Sequence, residues 1–265
     1  MSKQVILVTG ASSGLGRICA DSLHQSGWTV IGASRRGTSS SGWTPLAMDV
    51  DDDSVTNGVA EILKEHGRLD AVLANAGFGI AGAAEQTSIA DAKAQVETNF
   101  WGAVRIVNAV LPHFRNQGGG RLLLTSSIGG LLGIPYQAFY SASKFALEGY
   151  AESLAYEVEP FNIHVTLIEP GNFKTDFTAN RRMVEVTGDD PYKTAREKAV
   201  SMMGRDEING ADPLLVAKVV EKVLNEKRPP RRVSVGKFDE RVGIMGKRLL
   251  PYRLFEKAAK GSLGV

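Results

Sequence analysis

The sequence holds a single cysteine, Cys19, among 265 residues, so no disulfide can form within the chain. Such sparing use fits a reducing compartment. Cys19 falls in a stretch predicted to be a buried helix, where it reads as core packing rather than as a nucleophile. Histidine is sparse too, with four residues. His24, His66, His113 and His164 are scattered without ligand-like spacing, so no metal site is expected. A strong charge of one sign is lacking too. The net charge of +2 gives no basis for a nucleic-acid partner. No apolar run reaches the roughly 20 residues that a membrane-spanning helix needs. Residues 1–4 lead straight into a short apolar strand without the pattern of a signal peptide, which makes the cytoplasm the expected location.

What is present is ordinary in bulk and specific in order. With 43% hydrophobic and 23% charged residues, the composition is that of a soluble globular protein. The length suffices for one large α/β domain. Near-continuous apolar runs at 5–8, 30–33, 71–74, 122–124 and 165–168 predict strands buried on both faces. Residues 45–48 and 232–235 are weaker strand candidates. Helical patterns cover about 14–26, 54–65, 90–114 and 139–159. Strand–helix alternation predicts a doubly wound, Rossmann-type α/β fold, with a mostly parallel sheet flanked by helices on both faces. A single domain over 1–265 is expected. It has two departures from the rhythm: a polar excursion at about 172–212, suited to a substrate lid, and a basic extension at about 226–265. Residues 226–260 carry 11 Lys/Arg and 4 Asp/Glu, about +7 against about −5 for the rest.

Thr9-Gly10-Ala11-Ser12-Ser13-Gly14-Leu15-Gly16 joins the first predicted strand to the first helix. A helix N-terminus offers unpaired N–H groups and partial positive charge to a pyrophosphate. Glycines let the backbone approach it. At the end of the second strand, an NAD-binding chain carries an acid that bonds the ribose hydroxyls. Here the residues are Ala33-Ser34-Arg35-Arg36-Gly37. Two arginines suit a 2′-phosphate by charge and planar hydrogen bonding, which points to NADP(H), with NAD(H) as the alternative. The competing account makes them solvated surface residues. Tyr140 and Lys144 lie four apart on a predicted helix and so share a face. An ammonium beside a phenol is expected to lower its pKa and make it a usable acid or base near neutrality. A Tyr-x-x-x-Lys pair by itself is weak evidence, because most such pairs are surface neighbours.

Taken together, these motifs resemble those of the short-chain dehydrogenases/reductases, over about residues 5–175. The loop matches the family's Thr-Gly-x-x-x-Gly-x-Gly, and the pair its Tyr-x-x-x-Lys. The resemblance implies further roles. Ser127, thirteen residues before Tyr140, would hold the substrate oxygen. Asn99 would hold a water in a proton relay; by itself it reads as a structural polar residue. Asp49 and Val50 would touch the adenine, although Asp49 also suits the N-terminus of the following helix. Asn75, Ala76 and Gly77 would line the cofactor, with Ala74 standing where the family has an additional asparagine. Pro170-Gly171-Asn172-Phe173-Lys174-Thr175 would contact the nicotinamide amide, with Pro170, Gly171, Phe173 and Thr175 at the cofactor. Tyr140 and Lys144 would contact the cofactor as well as the reacting oxygen.

The activity implied is NADP(H)-dependent interconversion of a carbonyl and an alcohol. Leu131, Leu132, Ile134, Pro135, Tyr136 and Phe139, with 78–83 and Phe177, Met183, Met202 and Met203, are candidate walls. They favour a small hydrophobic substrate of lipid, steroid or retinoid type. A non-catalytic NADPH-binding regulator would keep the loop and lose Tyr140 or Lys144, but both are present. A sugar-nucleotide epimerase would need a larger C-terminal domain than this chain has room for. Ala142, Ala146, Gly149 and Ser153 form a small-residue stripe, and the resemblance implies pairing of this helix in a homodimer or homotetramer; packing within one chain is the other account. The basic tail has three candidate roles: peripheral contact with an anionic membrane, a cover over the site, or an oligomer contact.

Overall fold

A computed structural model describes residues 3–38 and 42–263. Met1, Ser2 and the last two residues of the 226–265 extension lie outside the described residues. In chain order the elements are β1 (Val5–Thr9), α1 (Gly14–Gln25), β2 (Thr29–Ser34), β3 (Thr44–Ala47), α2 (Ser54–His66) and β4 (Ala71–Ala74). There follow β5 (Ile80–Ala81), α3 (Ile89–Val96), α4 (Gly102–Gln117), β6 (Gly120–Thr125), α5 (Ala138–Val158) and β7 (Ile163–Pro170). The last third holds β8 (Arg182–Met183), α6 (Lys193–Ile208), α7 (Leu214–Asn225), β9 (Arg232–Val235), α8 (Phe238–Leu249) and α9 (Tyr252–Leu263).

Seven strands form one parallel sheet in the order β3-β2-β1-β4-β6-β7-β9. Alternation along each strand sends side chains to opposite faces. Val5 and Leu7 pack with α2, α4 and α5, while Ile6 and Val8 pack with α1 and α7. Leu122 and Leu124 likewise oppose Leu123. Both faces are therefore covered, which is why the strands read as unbroken apolar runs. The chain winds outward from β1 to β3 and then returns to place β4 on the other side of β1. That reversal opens a crevice beyond the strand carboxyl ends, where ligands bind in sheets of this kind.

Two stretches differ from the sequence expectation. The predicted helix over 90–114 is α3 and α4 joined by a π-helical turn at Glu97–Trp101. Apolar periodicity cannot register one widened turn. The predicted lid over 172–212 carries elements of its own. β8 pairs with β5 across Ile80–Arg182 and Ala81–Met183. Asp190 accepts from Gln86 at 2.8 Å and pairs with Arg196 at 2.7 Å, and Tyr192 donates to Glu85 at 2.5 Å. Among the described residues, no helix is long and apolar enough to cross a membrane.

Candidate active site

A cleft of about 710 Å³ runs along the carboxyl ends of β1, β2, β4, β6 and β7. Its floor is the loop between β1 and α1. Gly10 and Gly14 take the left-handed conformation, with φ of 68° and 55°. Gly16 has a different task. A Cβ there would lie 2.4 Å from Gly10 O and 2.5 Å from Asn75 Nδ2, so only glycine lets α1 sit so close to β1 and β4. Gly10, Ser12, Ser13, Gly14 and Leu15 line the cleft, and Gly16 does not. Ser13 begins α1 without a side-chain cap, which leaves the helix N-terminus open to an anion.

Thr9 ties the floor to the next strand. Its hydroxyl accepts from the N–H groups of Asn75 and Ala76, each at 3.0 Å, and Asn75 Nδ2 donates to Thr9 O at 3.3 Å. Ala74, in place of an asparagine, is simply buried in the strand. At the other end, Arg35 and Arg36 are exposed on the turn after β2 and line the cleft with Asp49 and Val50. The Asp49 carboxylate accepts from Asp51 N at 3.2 Å, within the turn before α2. Pro170, Gly171, Phe173 and Thr175 line the opposite bank; Phe173 also packs into the α1/α7 core layer.

The reacting end is built on α5 and the exit of β6. Tyr140 and Lys144 are buried on one face of α5, with Lys144 Nζ 6.0 Å from the Tyr140 ring centroid. Ser127 follows β6, so its hydroxyl sits at the sheet edge. It accepts from Gly129 N at 3.0 Å and lies 3.5 Å from Pro170 O, and it is near enough to the Tyr140 phenol to favour the phenolate. Lys144 Nζ donates to Thr125 O at 2.8 Å. Ser127, Tyr140 and Lys144 thus meet on one wall.

The pKa expectation for Tyr140 is overturned. Burial pushes the phenol up from its ordinary value, and the Ser127 hydroxyl pulls it back only in part. Lys144 is itself stripped of water. Burial holds its ammonium down to about 8, with Glu148 acting against that shift.

Asn99 does not itself line the cleft. Its side chain lies in the π-helical turn, where it accepts from Phe78 N at 2.9 Å and donates to Phe78 O at 3.0 Å and Ser143 Oγ at 3.1 Å. Ser143 Oγ in turn donates to Tyr140 O at 2.7 Å. The amide couples the loop after β4 to the turn of α5 that carries Tyr140.

Of the predicted apolar walls, Ile134, Phe78 and Phe177 line the cleft; Leu131, Leu132, Pro135, Tyr136, Phe139, Met183, Met202 and Met203 do not. The Phe177 ring centroid lies 5.9 Å from that of Tyr140. Polar residues absent from the sequence reading share this end: Gln137, Asn180, Arg182 and Glu207. Glu207 is held by Arg181 and accepts from Thr178 at 2.5 Å. Ser34, closing β2, lines the other end. Strand alternation and the position three before Tyr140 were the available signals for Ser34 and Gln137. The lid residues carry no local signal, because β5–β8 pairing positions them. Ser34 Oγ and Gln137 Nε2 are buried without a hydrogen-bond partner among the described residues. Orphaned polar atoms at both ends, with an open helix N-terminus between, fit a dinucleotide and its reaction partner. Cys19 is buried, and its thiol is pushed up to about 12 by that burial, as a packing role requires.

The sequence matches the family described as "short chain dehydrogenase" over residues 4–185. It is 41% identical over 263 residues to a 3-ketodihydrosphingosine reductase of Bacteroides thetaiotaomicron, covering 98% of each chain. It is 34% identical to retinol dehydrogenase 8 of Bos taurus, covering 86% of this chain and 80% of that one. A solved short-chain dehydrogenase from Streptomyces avermitilis superposes with a TM-score of 0.84 at 30% identity, covering 98% of each. The chain belongs to the short-chain dehydrogenase/reductase family, oxidoreductases that act on CH–OH and C=O groups.

Proposed function

We propose that this enzyme is an NADP(H)-dependent reductase of a hydrophobic ketone or aldehyde of lipid type. The carrying observation is one cleft with Ser127, Tyr140 and Lys144 at one end and Arg35 and Arg36 at the other. The glycine loop and α1 would take the pyrophosphate, and the two arginines the 2′-phosphate. When bound, the nicotinamide cofactor supplies the hydride. Ser127 holds the carbonyl oxygen by its hydroxyl, and Tyr140 gives that oxygen a proton. Lys144 places a positive charge beside the forming phenolate and binds the nicotinamide ribose hydroxyls. A phenol kept protonated by burial suits the reductive direction, since it starts as an acid. Asn99 keeps Tyr140 in place through Ser143.

The lipid-type substrate is supported by Phe78, Ile134 and Phe177 along the wall and by the names of the Bacteroides and bovine relatives. Gln137, Asn180 and Glu207 suit a polar head beside the reacting carbon. The Ala142, Ala146, Gly149 and Ser153 stripe is exposed on α5, which supports pairing of this helix in a homodimer or homotetramer over packing within one chain. The test is cofactor oxidation with NADPH and NADH across 3-ketodihydrosphingosine, retinal, a steroid ketone and short aldehydes. Turnover fastest with NADPH and a long-chain carbonyl is expected. Turnover confined to NADH, or to short water-soluble aldehydes, would contradict the proposal.

A further inference from the structure

The outward face of α8 is built backwards for a water-soluble protein. Phe238, Val242, Met245 and Leu249 recur at helical spacing and so form one stripe. They are 82%, 48%, 59% and 74% exposed. The opposite face points into the protein. Glu240 Oε1 accepts from Asn172 N at 2.9 Å, Ile244 is buried, and Lys247 Nζ donates to Leu131 O at 2.5 Å. The helix therefore cannot roll its apolar stripe inward without losing these contacts. Pro251 ends the run, and α9 begins with Tyr252 and Leu254, both more than half exposed. Beside the stripe stand Arg241, Arg248 and Arg253, which form no ion pair among the described residues. Residues 237–260 hold seven Lys/Arg and three Asp/Glu, in a chain that is acidic elsewhere.

We propose that α8 and the start of α9 dock on an anionic lipid bilayer, with Phe238, Val242, Met245, Leu249 and Tyr252 entering the interface and Arg241, Arg248 and Arg253 meeting the headgroups. An apolar stripe flanked by unpaired cations has the chemistry of an interfacial helix. A second copy of the chain is a poorer occupant. A two-fold contact sets each patch against itself, bringing the arginines of one copy against those of the other. Position adds a purpose. Asn172 lines the catalytic cleft, and Glu240 fixes α8 to it. Lys247 holds the helix to the segment leading toward Ile134. Docking would bring the cleft's entrance to the surface where a lipid carbonyl compound resides. The docking stands apart from the proposed catalytic function, because it is measured without substrate or cofactor.

The experiment is co-sedimentation of the full chain with vesicles of phosphatidylcholine, alone or mixed with phosphatidylglycerol. Two double variants are run beside it, Phe238→Ser with Leu249→Ser and Arg241→Ser with Arg248→Ser. Melting temperatures near wild type are expected for both, since the changed side chains are exposed. Binding to the mixed vesicles is expected, weaker to phosphatidylcholine alone. Loss of the two arginines should weaken it roughly 25-fold, about fivefold for each cation near an anionic surface. Loss of Phe238 and Leu249 should weaken binding to both vesicle types. Absence of sedimentation with mixed vesicles would overturn the proposal, as would binding that neither variant changes. So would a drop in oligomeric state caused by Phe238→Ser with Leu249→Ser, since a second copy would then be the occupant.

Discussion

Replacing Arg35 and Arg36 with alanine should separate the two nicotinamide cofactors. Both side chains are exposed on the turn after β2, both line the cleft, and neither forms an ion pair among the described residues. No acid closes β2, so no carboxylate at that turn grips the unphosphorylated ribose of NADH. A charge-assisted hydrogen bond contributes about 1.5–3 kcal/mol when shielded, and solvent lowers that to about 0.5–1 kcal/mol for exposed partners. Because 1.4 kcal/mol is a factor of ten, each arginine is worth roughly two- to fivefold in NADPH affinity. The double variant should raise KM for NADPH about tenfold, leave kcat nearly unchanged, and alter NADH kinetics within about twofold. The assay is initial-rate cofactor oxidation at fixed carbonyl concentration, with each cofactor varied. An equal fall for NADPH and NADH would refute the reasoning, since the arginines would then support the fold. No change with NADPH would refute it as well, leaving them as solvated surface residues.

Other consequences lie deeper in the molecule. Asn99→Ala removes three hydrogen bonds between the loop after β4 and α5. It should cost about 1–3 kcal/mol of stability by leaving Phe78 N unpaired, measured by urea denaturation; a variant as stable as wild type would contradict the coupling role. Glu148 lies one turn beyond Lys144, paired with Arg232 at 2.5 Å, and burial raises its carboxyl from 4.5 to about 7. The folded state thus keeps a proton that the unfolded chain releases above pH 4.5. Glu148's contribution is fully present below that pH and is lost as pH rises through about 7. Thermal melts at pH 5 and pH 8 should show a smaller decline for Glu148→Gln than for wild type; parallel declines would contradict the assignment. A side chain at Gly16 would collide with Gly10 O. Gly16→Val should therefore weaken NADPH binding in a titration and lower stability by about 1–3 kcal/mol, and wild-type values for both would show that α1 can retreat at no cost.

The parallel core was legible in sequence because burial on both faces leaves unbroken runs such as Leu122–Leu124, and a helix between each pair leaves little freedom of topology. The glycine loop, Ser127, Tyr140 and Lys144 were legible because their spacings are local and their roles need fixed positions at strand and helix ends. Legibility failed where distant segments decide the outcome. The turn at Glu97–Trp101 widens within a continuous apolar pattern, so Asn99's true partners, Phe78 and Ser143, left no trace in spacing. Tyr140 and Lys144 are neighbours on paper, yet burial rather than their mutual charge sets the phenol's shift. Glu207 and Arg182 reach the cleft because β8 pairs with β5 about a hundred residues away in sequence. The inward face of α8 is fixed by Asn172 and Leu131, which no periodicity within α8 encodes.

The proposed reduction makes Tyr140 the proton donor, and Tyr140→Phe isolates that role. The substitution removes one oxygen and leaves the ring packed against Phe177. Single-turnover cofactor oxidation with a ketone substrate, alongside NADPH titration of the same variant, is the most direct test. The account predicts NADPH affinity within about threefold of wild type and turnover reduced by about 10²–10⁴-fold, the range for general acid catalysis. Turnover within tenfold of wild type, with cofactor still bound, would contradict it.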